Sequence, residues 1–298
     1  MRYIATPVAD GSGAGINDQE WIVGKTGSTT ASERAFLANA DGMVLIPVDG
    51  YNSQATAIGN DNEVVGTVTT PDRRSIQAWK YEGGQVSIIP GLGGTTVMPR
   101  GTNGITIVGQ ARKANLSAVA FAHTAGVTND LGTLGGRGSI AYAINAGGLI
   151  VGSSSIAGTT GVVMHGCKWE NNAIVDLHVG GGQSWAYAVN DSGVIAGQAT
   201  VNGNNVPVRF DGGQIVPLSG TQGLALGINN AGVIVGSLGN PGVAFVFRDG
   251  KLVDLNTVTA GADGWSLMSA TDINNDGVIV VTALKGSAFK TFQLVPEA

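Results

Sequence analysis

The stretch AYAINAGGLIVG, residues 141–152, is one of a set. It returns as GAGINDQEWIVG (13–24), ATAIGNDNEVVG (55–66), AYAVNDSGVIAG (186–197), ALGINNAGVIVG (225–236) and ATDINNDGVIVV (270–281), with a degraded copy, MPRGTNGITIVG, at 98–109. The copies are spaced by about 43 residues, a period that marks a chain built from one stacked supersecondary unit. Each copy reads as a strand, a turn and a second strand. A third strand-like piece follows with an Ala-aromatic pair: Ala35-Phe36, Ala78-Trp79, Ala120-Phe121, Ala244-Phe245 and Ala288-Phe289. A fourth is an apolar run after a turn, as in GMVLIP, GQVSIIP, AIVDL, GQIVPL and GKLVDL. Four short antiparallel strands per unit at this period predict the blades of a propeller. Runs such as Val233-Ile234-Val235, where alternation is lost, fit strands covered on both faces.

The turn phrase has a local explanation. Asn tolerates the left-handed region and caps turns with its side chain, and Gly supplies positive φ where the hairpin returns. Asn62 stands for that Gly in the second copy. The small column Gly15, Ala57, Ala143, Ala188 and Gly227 lets strands crowd where blades converge. The last copy has three strands and stops near Phe289–Val295, while YIATPVADGSGAGIN (3–17) matches IVPLSGTQGLALGIN (215–229) in length and pattern. Residues 3–6 then take the place of the missing fourth strand and hide an open edge. The expected fold is all-β: one domain over 1–298, a seven-bladed β-propeller with four antiparallel strands per blade, closed by its N-terminal strand.

Composition agrees and excludes some functions. With 48 Gly and 12% charged residues among 298, the chain suits many short strands joined by tight turns. A net charge of -5, with 16 Lys+Arg scattered, argues against nucleic acid as a partner. No apolar run approaches the ~18 residues that a membrane span needs, so no membrane insertion is expected. The start, MRYIATPVADGSG, lacks the charged and apolar regions of a signal peptide. A single cysteine excludes an internal disulfide framework.

The copies resemble the HAF-type extracellular repeat family of bacteria. The resemblance rests on DLGTLGG (130–136), AYAINAGGLIVG, AYAVNDSGVIAG and the Ala-Phe strands, and covers essentially the whole chain. The third copy departs most, with Pro99 and Arg100 where small or apolar residues belong. The resemblance implies a secreted or surface-displayed binding protein and offers no catalytic motif to carry over. The tail QLVPEA (293–298) is similar to the start of a PEP-type surface-sorting signal, without its apolar helix and basic end.

Several constellations have bland readings. DINNDG (272–277) fits the first half of a calcium loop, with Asp272, Asn274 and Asp276 at alternate positions, but position twelve is Ala283 rather than a carboxylate. It also lies on the repeat's own turn, so turn chemistry is preferred and no cofactor is expected, with calcium the lesser alternative. His123 falls in the aromatic column of Tyr81, Trp169, Phe210 and Phe247, and Cys167 in that of Phe36, Phe121 and Phe245, which predicts a core ring and a buried thiol. His165 and Cys167 cannot make a closed zinc site alone, and His178 is the histidine expected on display. Asp130, Asp176 and Asp254 recur at one place in the repeat, which argues for a structural role rather than a glycosidase pair.

The connections between blades vary most. They present Tyr51, Asn52, Arg137, Gln183, Trp185, Gln222, Asp263 and Trp265 on one expected face. Polar groups beside tryptophan suit sugar rings, and equally the tryptophans can cover blade ends. The function expected is a non-enzymatic module at the cell surface or outside the cell, recognising a glycan or protein partner through this face. The alternative is a structural or adhesive component of a larger oligomeric assembly, such as a phage tail on a virion surface or a surface layer. A propeller lyase or hydrolase would need titratable groups near the axis, where the aligned columns are mainly Ala, Gly and aliphatic. Arg100 and Asp272 break that pattern, and are the first positions to mutate if an active site exists.

Overall fold

A computed structural model of the chain describes residues 2–27, 33–158, 162–178 and 180–297. Met1, residues 28–32 and 159–161, Val179 and Ala298 lie outside the described residues. Among the described residues the fold is strand and turn, with one helical element, the 3-10 turn Leu255–Thr257.

The repeated unit is plainest in Gly135–Ile144, Ile150–Ile156, Met164–Glu170 and Ala173–Asp176. These strands pair in chain order, each antiparallel to the next. Three further four-stranded sheets follow the same plan, over 12–45, 184–217 and 223–254. An eight-stranded sheet covers 52–130, and its two halves meet through one parallel pair, Thr96 with Ile76. In the remaining sheet the two chain ends lie side by side. Tyr3–Asp10 runs antiparallel to Ala288–Pro296, paired from Tyr3 opposite Pro296 to Asp10 opposite Lys290 with one register shift between Pro7 and Ala9. Ile279–Lys285 and Ser266–Ile273 extend this sheet inward, and Thr259–Ala260 caps its outer side in parallel.

The core is a succession of clusters, each shared by two neighbouring sheets or by the two halves of the eight-stranded one. Val23 and Ala35 pack with Ala55, Val64 and Trp79; Val65 and Ala78 pack with Ile107 and Phe121. The series continues through Ala141 and Cys167, Ala186 and Phe210, Ala225 and Phe245, and Leu267 and Phe292. It then returns to the start, because Val278 and Val280 of the C-terminal sheet pack against Ile16, Ile22 and Phe36 of the first. This explains the unbroken Ile-Val runs: a strand covered on both faces has no polar side to write. Polar links reinforce the stacking. Buried Ser53, Ser139 and Ser184 accept the amide N–H groups of Ala35, Ala120 and Gly166 in the preceding sheet, at 2.8–3.0 Å.

Candidate functional site

The first strand of each unit contains a β-bulge at the same place. Its register against the second strand shifts between Gly13 and Gly15, Ala55 and Ala57, Pro99 and Gly101, Ala141 and Ala143, Ala186 and Ala188, Ala225 and Gly227, and Ala270 and Asp272. The residues skipped are Ala14, Thr56, Arg100, Tyr142, Tyr187, Leu226 and Thr271. A bulged residue leaves the ladder and its side chain is re-aimed, and here all of them line one central channel. The glycine of the IVG phrase permits this. Gly152 pairs with Ala141, Gly197 with Ala186 and Gly236 with Ala225, and a Cβ on any of them would land on the carbonyl oxygen just before the bulge. Val281 stands at that place in the C-terminal sheet, where the facing strand carries a second shift between Leu267 and Ser269.

The bulged residues form a collar between two chambers. On one side a vestibule of about 310 Å³ is completed by Ser12, Lys25 and Gln54. On the other, a chamber of about 210 Å³ is floored by the small residues Gly15, Ala57, Gly101, Ala143 and Ala188, with Asp272 among them. Below it, Ile58, Thr102, Ile144, Val189 and Ile228 narrow the passage to a third space of about 250 Å³, lined by asparagines.

Charge in the channel is uneven. Arg100 is exposed to it, and no described carboxylate forms an ion pair with its guanidinium. Lys25 at the vestibule is held by Glu33 at 2.6 Å. Tyr142 and Tyr187 meet edge to face, with ring centres 5.0 Å apart. Burial pushes both hydroxyls above the usual tyrosine range, so they stay protonated; the charge of Arg100 pulls Tyr142 partly back. Asp272 stands where the sister units have Ala or Gly. Its Oδ2 accepts the Ile16 N–H at 3.0 Å and its Oδ1 the Ile273 N–H at 2.9 Å. Burial nevertheless pushes its carboxyl up to about 6, against the pull of those two amides and with a further push from Asp18.

The far mouth is tied by a chain of amides. Asn103 Nδ2 donates to the Asn145 carbonyl (3.1 Å), Asn145 to Asn190 (3.0 Å), Asn190 to Asn229 (3.0 Å), Asn229 to Asn274 (3.1 Å), Asn274 to Asn17 (3.2 Å) and Asn17 to Gly59 (3.1 Å). Gly59 has no side chain to carry the circle on to Asn103; there Thr102 Oγ1 donates to the buried Glu63 at 2.5 Å. Each asparagine also braces its own turn, as when Asn145 Oδ1 accepts the Leu149 N–H at 2.8 Å. None of these asparagines has positive φ. That conformation belongs to the glycine three residues on, at φ 84 for Gly148, 78 for Gly193 and 77 for Gly232. The turn Asn is therefore a lateral tie between units, which the local reading did not anticipate.

No family model matches the chain, and no curated protein sequence matches it. Solved structures do. The β-propeller domain of the Trilobed protease from Pyrococcus furiosus, described with an open velcro topology, has a TM-score of 0.63 at 10% identity, covering 98% of this chain and 95% of that one. A puromycin hydrolase mutant complexed with PGG gives 0.61 at 12% identity, over 95% of this chain and 52% of that one. TolB from Acinetobacter baumannii gives 0.54 at 13% identity, over 91% and 63%. The fold is a β-propeller. The chain spans about half the length of puromycin hydrolase.

The propeller corrects the expected function. A non-enzymatic surface module, or an adhesive part of an assembly, is not upheld: solved structures similar to this chain include an enzyme, puromycin hydrolase. The physical ground for the expectation also fails. The sequence makes the aligned columns mainly Ala, Gly and aliphatic, with Arg100 and Asp272 as the exceptions; the bulges bring those two into one chamber and add Tyr142 and Tyr187, which the columns do not show.

The loop residues singled out from the sequence are spread around the propeller, and none lines the channel. Tyr51 lies beneath Arg73, 3.7 Å from ring centre to guanidinium, next to Asn52. Arg137 borders an outer cleft. Gln183 Oε1 accepts the Met164 N–H at 3.3 Å, and Trp185 is half-buried in the strand Ser184–Val189. Gln222 and Asp263 are exposed. Trp265 packs edge-on to Phe292 at 5.9 Å, with Lys290 Nζ 5.3 Å from its ring centre.

The calcium candidates serve separate ends. Asp272 faces the channel, Asn274 Oδ1 accepts the Asp276 and Val278 amides at 3.1 and 2.9 Å, and Asp276 is exposed. His178, expected on display, is tucked against His165 at 4.3 Å with its Nδ1 2.9 Å from Ser184 Oγ, and burial draws its pKa down. His165 Nδ1 meets Asp176 at 2.8 Å, and Cys167 is fully buried with its thiol pushed up.

Asp272 makes stability depend on pH. Its folded pKa of about 6 lies above the ordinary 3.8, so the folded chain holds a proton that the unfolded chain has lost between about pH 4 and 6. Its charged form thus costs stability above pH 6, and the cost is relieved as pH falls towards 4. Asp272→Asn should therefore gain on the wild type by about 1–2 kcal/mol between pH 4 and pH 7, channel water reducing the full linkage value. Urea unfolding of both proteins at the two pH values checks this; a pH-independent difference would remove Asp272 as the titrating group.

Proposed function

We propose that the chain is a seven-bladed propeller whose axial channel is the active site of an enzyme acting on a small carboxylate by acid–base chemistry. The blade count is supported by dividing the eight-stranded sheet at its single parallel pair, and by the clusters that run from sheet to sheet and back to the first. In this reading Tyr3–Asp10 is the outer strand of the last blade.

One observation carries the functional reading: the collar sets an unpaired Arg100 in the third blade and Asp272 in the seventh, on opposite walls of one chamber. Arg presents a planar fork that matches a carboxylate in two parallel hydrogen bonds. Tyr142 and Tyr187, kept neutral by burial, offer an O–H and an apolar ring face beside it. Asp272 has its two oxygens fixed by backbone amides and a pKa of about 6, close to working pH, which is where a general acid–base is most effective. Arg100 holds the substrate's anionic end, and Asp272 exchanges a proton with the atom presented across the chamber.

A panel of small 2- to 6-carbon carboxylates, each with its neutral amide, tests this by thermal shift and calorimetry. A carboxylate should stabilise the protein where its amide does not, and Arg100→Gln should weaken it at least tenfold, as loss of a charged partner does. For the carboxylate that binds, NMR in deuterated water should show exchange at a carbon-bound hydrogen, and Asp272→Asn should abolish that exchange. Undiminished binding in Arg100→Gln would sink the site, and exchange that survives Asp272→Asn would sink the acid–base role alone.

A further inference from the structure

The propeller has a second concavity, apart from the channel. A cleft of about 660 Å³ opens between the third and fourth units, walled by the connection at 114–117, the start of the strand Met164–Glu170 and the inner strand residues Arg137–Ile140. Its volume falls within the ~300–1,000 Å³ of small-molecule sites.

Two apolar side chains stand out of the protein at its lip, Leu116 with 72% of its surface exposed and Val162 with 69%. Leu116 is held there against its own backbone preference. Its φ is 68, a conformation that a bulky residue rarely adopts, and the equivalent connection of the fifth unit spends Asn202 and Gly203 on positive φ instead. The turn is fixed by the Leu116 N–H to the Lys113 carbonyl (2.9 Å), and by Asn115 Oδ1, which accepts the Ser117 N–H and hydroxyl at 3.2 and 2.7 Å. Met164 and Ile140 continue the apolar wall inward. The one charged group of the lining is Arg137, exposed, with no ion pair among the described residues.

We infer that this cleft binds an aliphatic monocarboxylate, its head on Arg137 and its chain along Ile140, Met164, Val162 and Leu116. The charge of Arg137 selects an anionic head, and no acid stands among the described residues of the lining to repel it. The apolar lip covers a chain, which a short anion lacks. This site is independent of the axial one and stands whether or not that reading holds.

Octanoate is the probe, titrated by calorimetry into the Arg100→Gln variant so that any contribution of the channel is removed. One octanoate per chain is expected to bind, with acetate, which lacks the chain, and 1-octanol, which lacks the charge, at least tenfold weaker. Adding Arg137→Gln or Leu116→Ser should each weaken octanoate at least tenfold and leave the melting temperature nearly unchanged, since both side chains face solvent. If Arg100→Gln itself melts early, the same titration is made in the wild type with Arg137→Gln and Leu116→Ser as the comparison. No octanoate binding, binding indifferent to Arg137→Gln, or acetate binding as well as octanoate would each overturn the proposal.

Discussion

Gly152→Ala should destabilise the protein by about 2–3 kcal/mol, read as a fall in the urea midpoint. The cause is a single methyl group. Gly152 lies opposite Ala141, and its added Cβ would fall on the Ile140 carbonyl oxygen, with Ala141 Cα 2.9 Å away. Both obstacles are backbone, so no rotamer change can make room. The strand must retreat, and the bulge that turns Tyr142 into the channel must flatten. Gly197→Ala and Gly236→Ala meet the Trp185 and Leu224 carbonyls in the same way, and should cost about as much. Gly220→Ala is the control, because a Cβ there meets nothing within 4 Å and its φ is not left-handed; it should change stability by less than about 0.5 kcal/mol. Equal midpoints for Gly152→Ala and Gly220→Ala would mean that the bulge does not depend on the glycine opposite it.

Deleting residues 2–10 should do more, abolishing a cooperative melt altogether. Tyr3 is 1% exposed and, with Ala5, packs in one cluster with Phe292, Leu294 and Leu267. Truncating a buried aromatic to alanine costs about 3–5 kcal/mol on its own, against a total stability on the order of 5–15 kcal/mol for folded domains. The deletion also bares the edge of Ala288–Pro296, where unpaired N–H and C=O groups recruit other chains. Light scattering should therefore report concentration-dependent association of the shortened protein. Tyr3→Ala keeps the strand and its ladder, so it should lower the midpoint by about 3–5 kcal/mol and remain monodisperse. A shortened chain that melts like the wild type would show that the two ends are not structurally coupled.

Much of the architecture was legible because its causes are local and repeated. The Ile-Val runs declare strands buried on both faces, and the turn glycines mark positive φ at Gly148, Gly193 and Gly232. The channel was harder to see. A bulge inserts one residue into a strand, and counting by twos carries no trace of it; Tyr142 and Tyr187 were read as letters of an inner strand when they stand outside its ladder. The signal was the varied residue held between two small ones, as in Ala55-Thr56-Ala57, Ala141-Tyr142-Ala143 and Ala225-Leu226-Gly227. The asparagine ties were hidden for another reason. A turn examined by itself shows the bond from Asn145 to Leu149, four residues on, but not the one to Asn190 in the next unit. Trp265 could be weighed only by packing, and Phe292 settles its contact from far along the chain.

The collar separates vocabulary from grammar. In most units the glycine opposite, the small residues on either side and the asparagine tie below hold the bulge, with Val281 in place of the glycine in the last unit and Gly59 in place of the asparagine in the second, while the bulged side chain itself bonds to little of that frame. Thr56 does touch it, through Oγ1 to the Pro99 carbonyl at 2.9 Å, yet Ala14 and Leu226 have no polar group at all. The lining of the channel can thus be rewritten one residue at a time without renegotiating the fold. Duplication of a unit would copy the frame and leave a fresh position free to diverge, so a chain of this kind can change what it handles by drift at sites that cost it almost no stability.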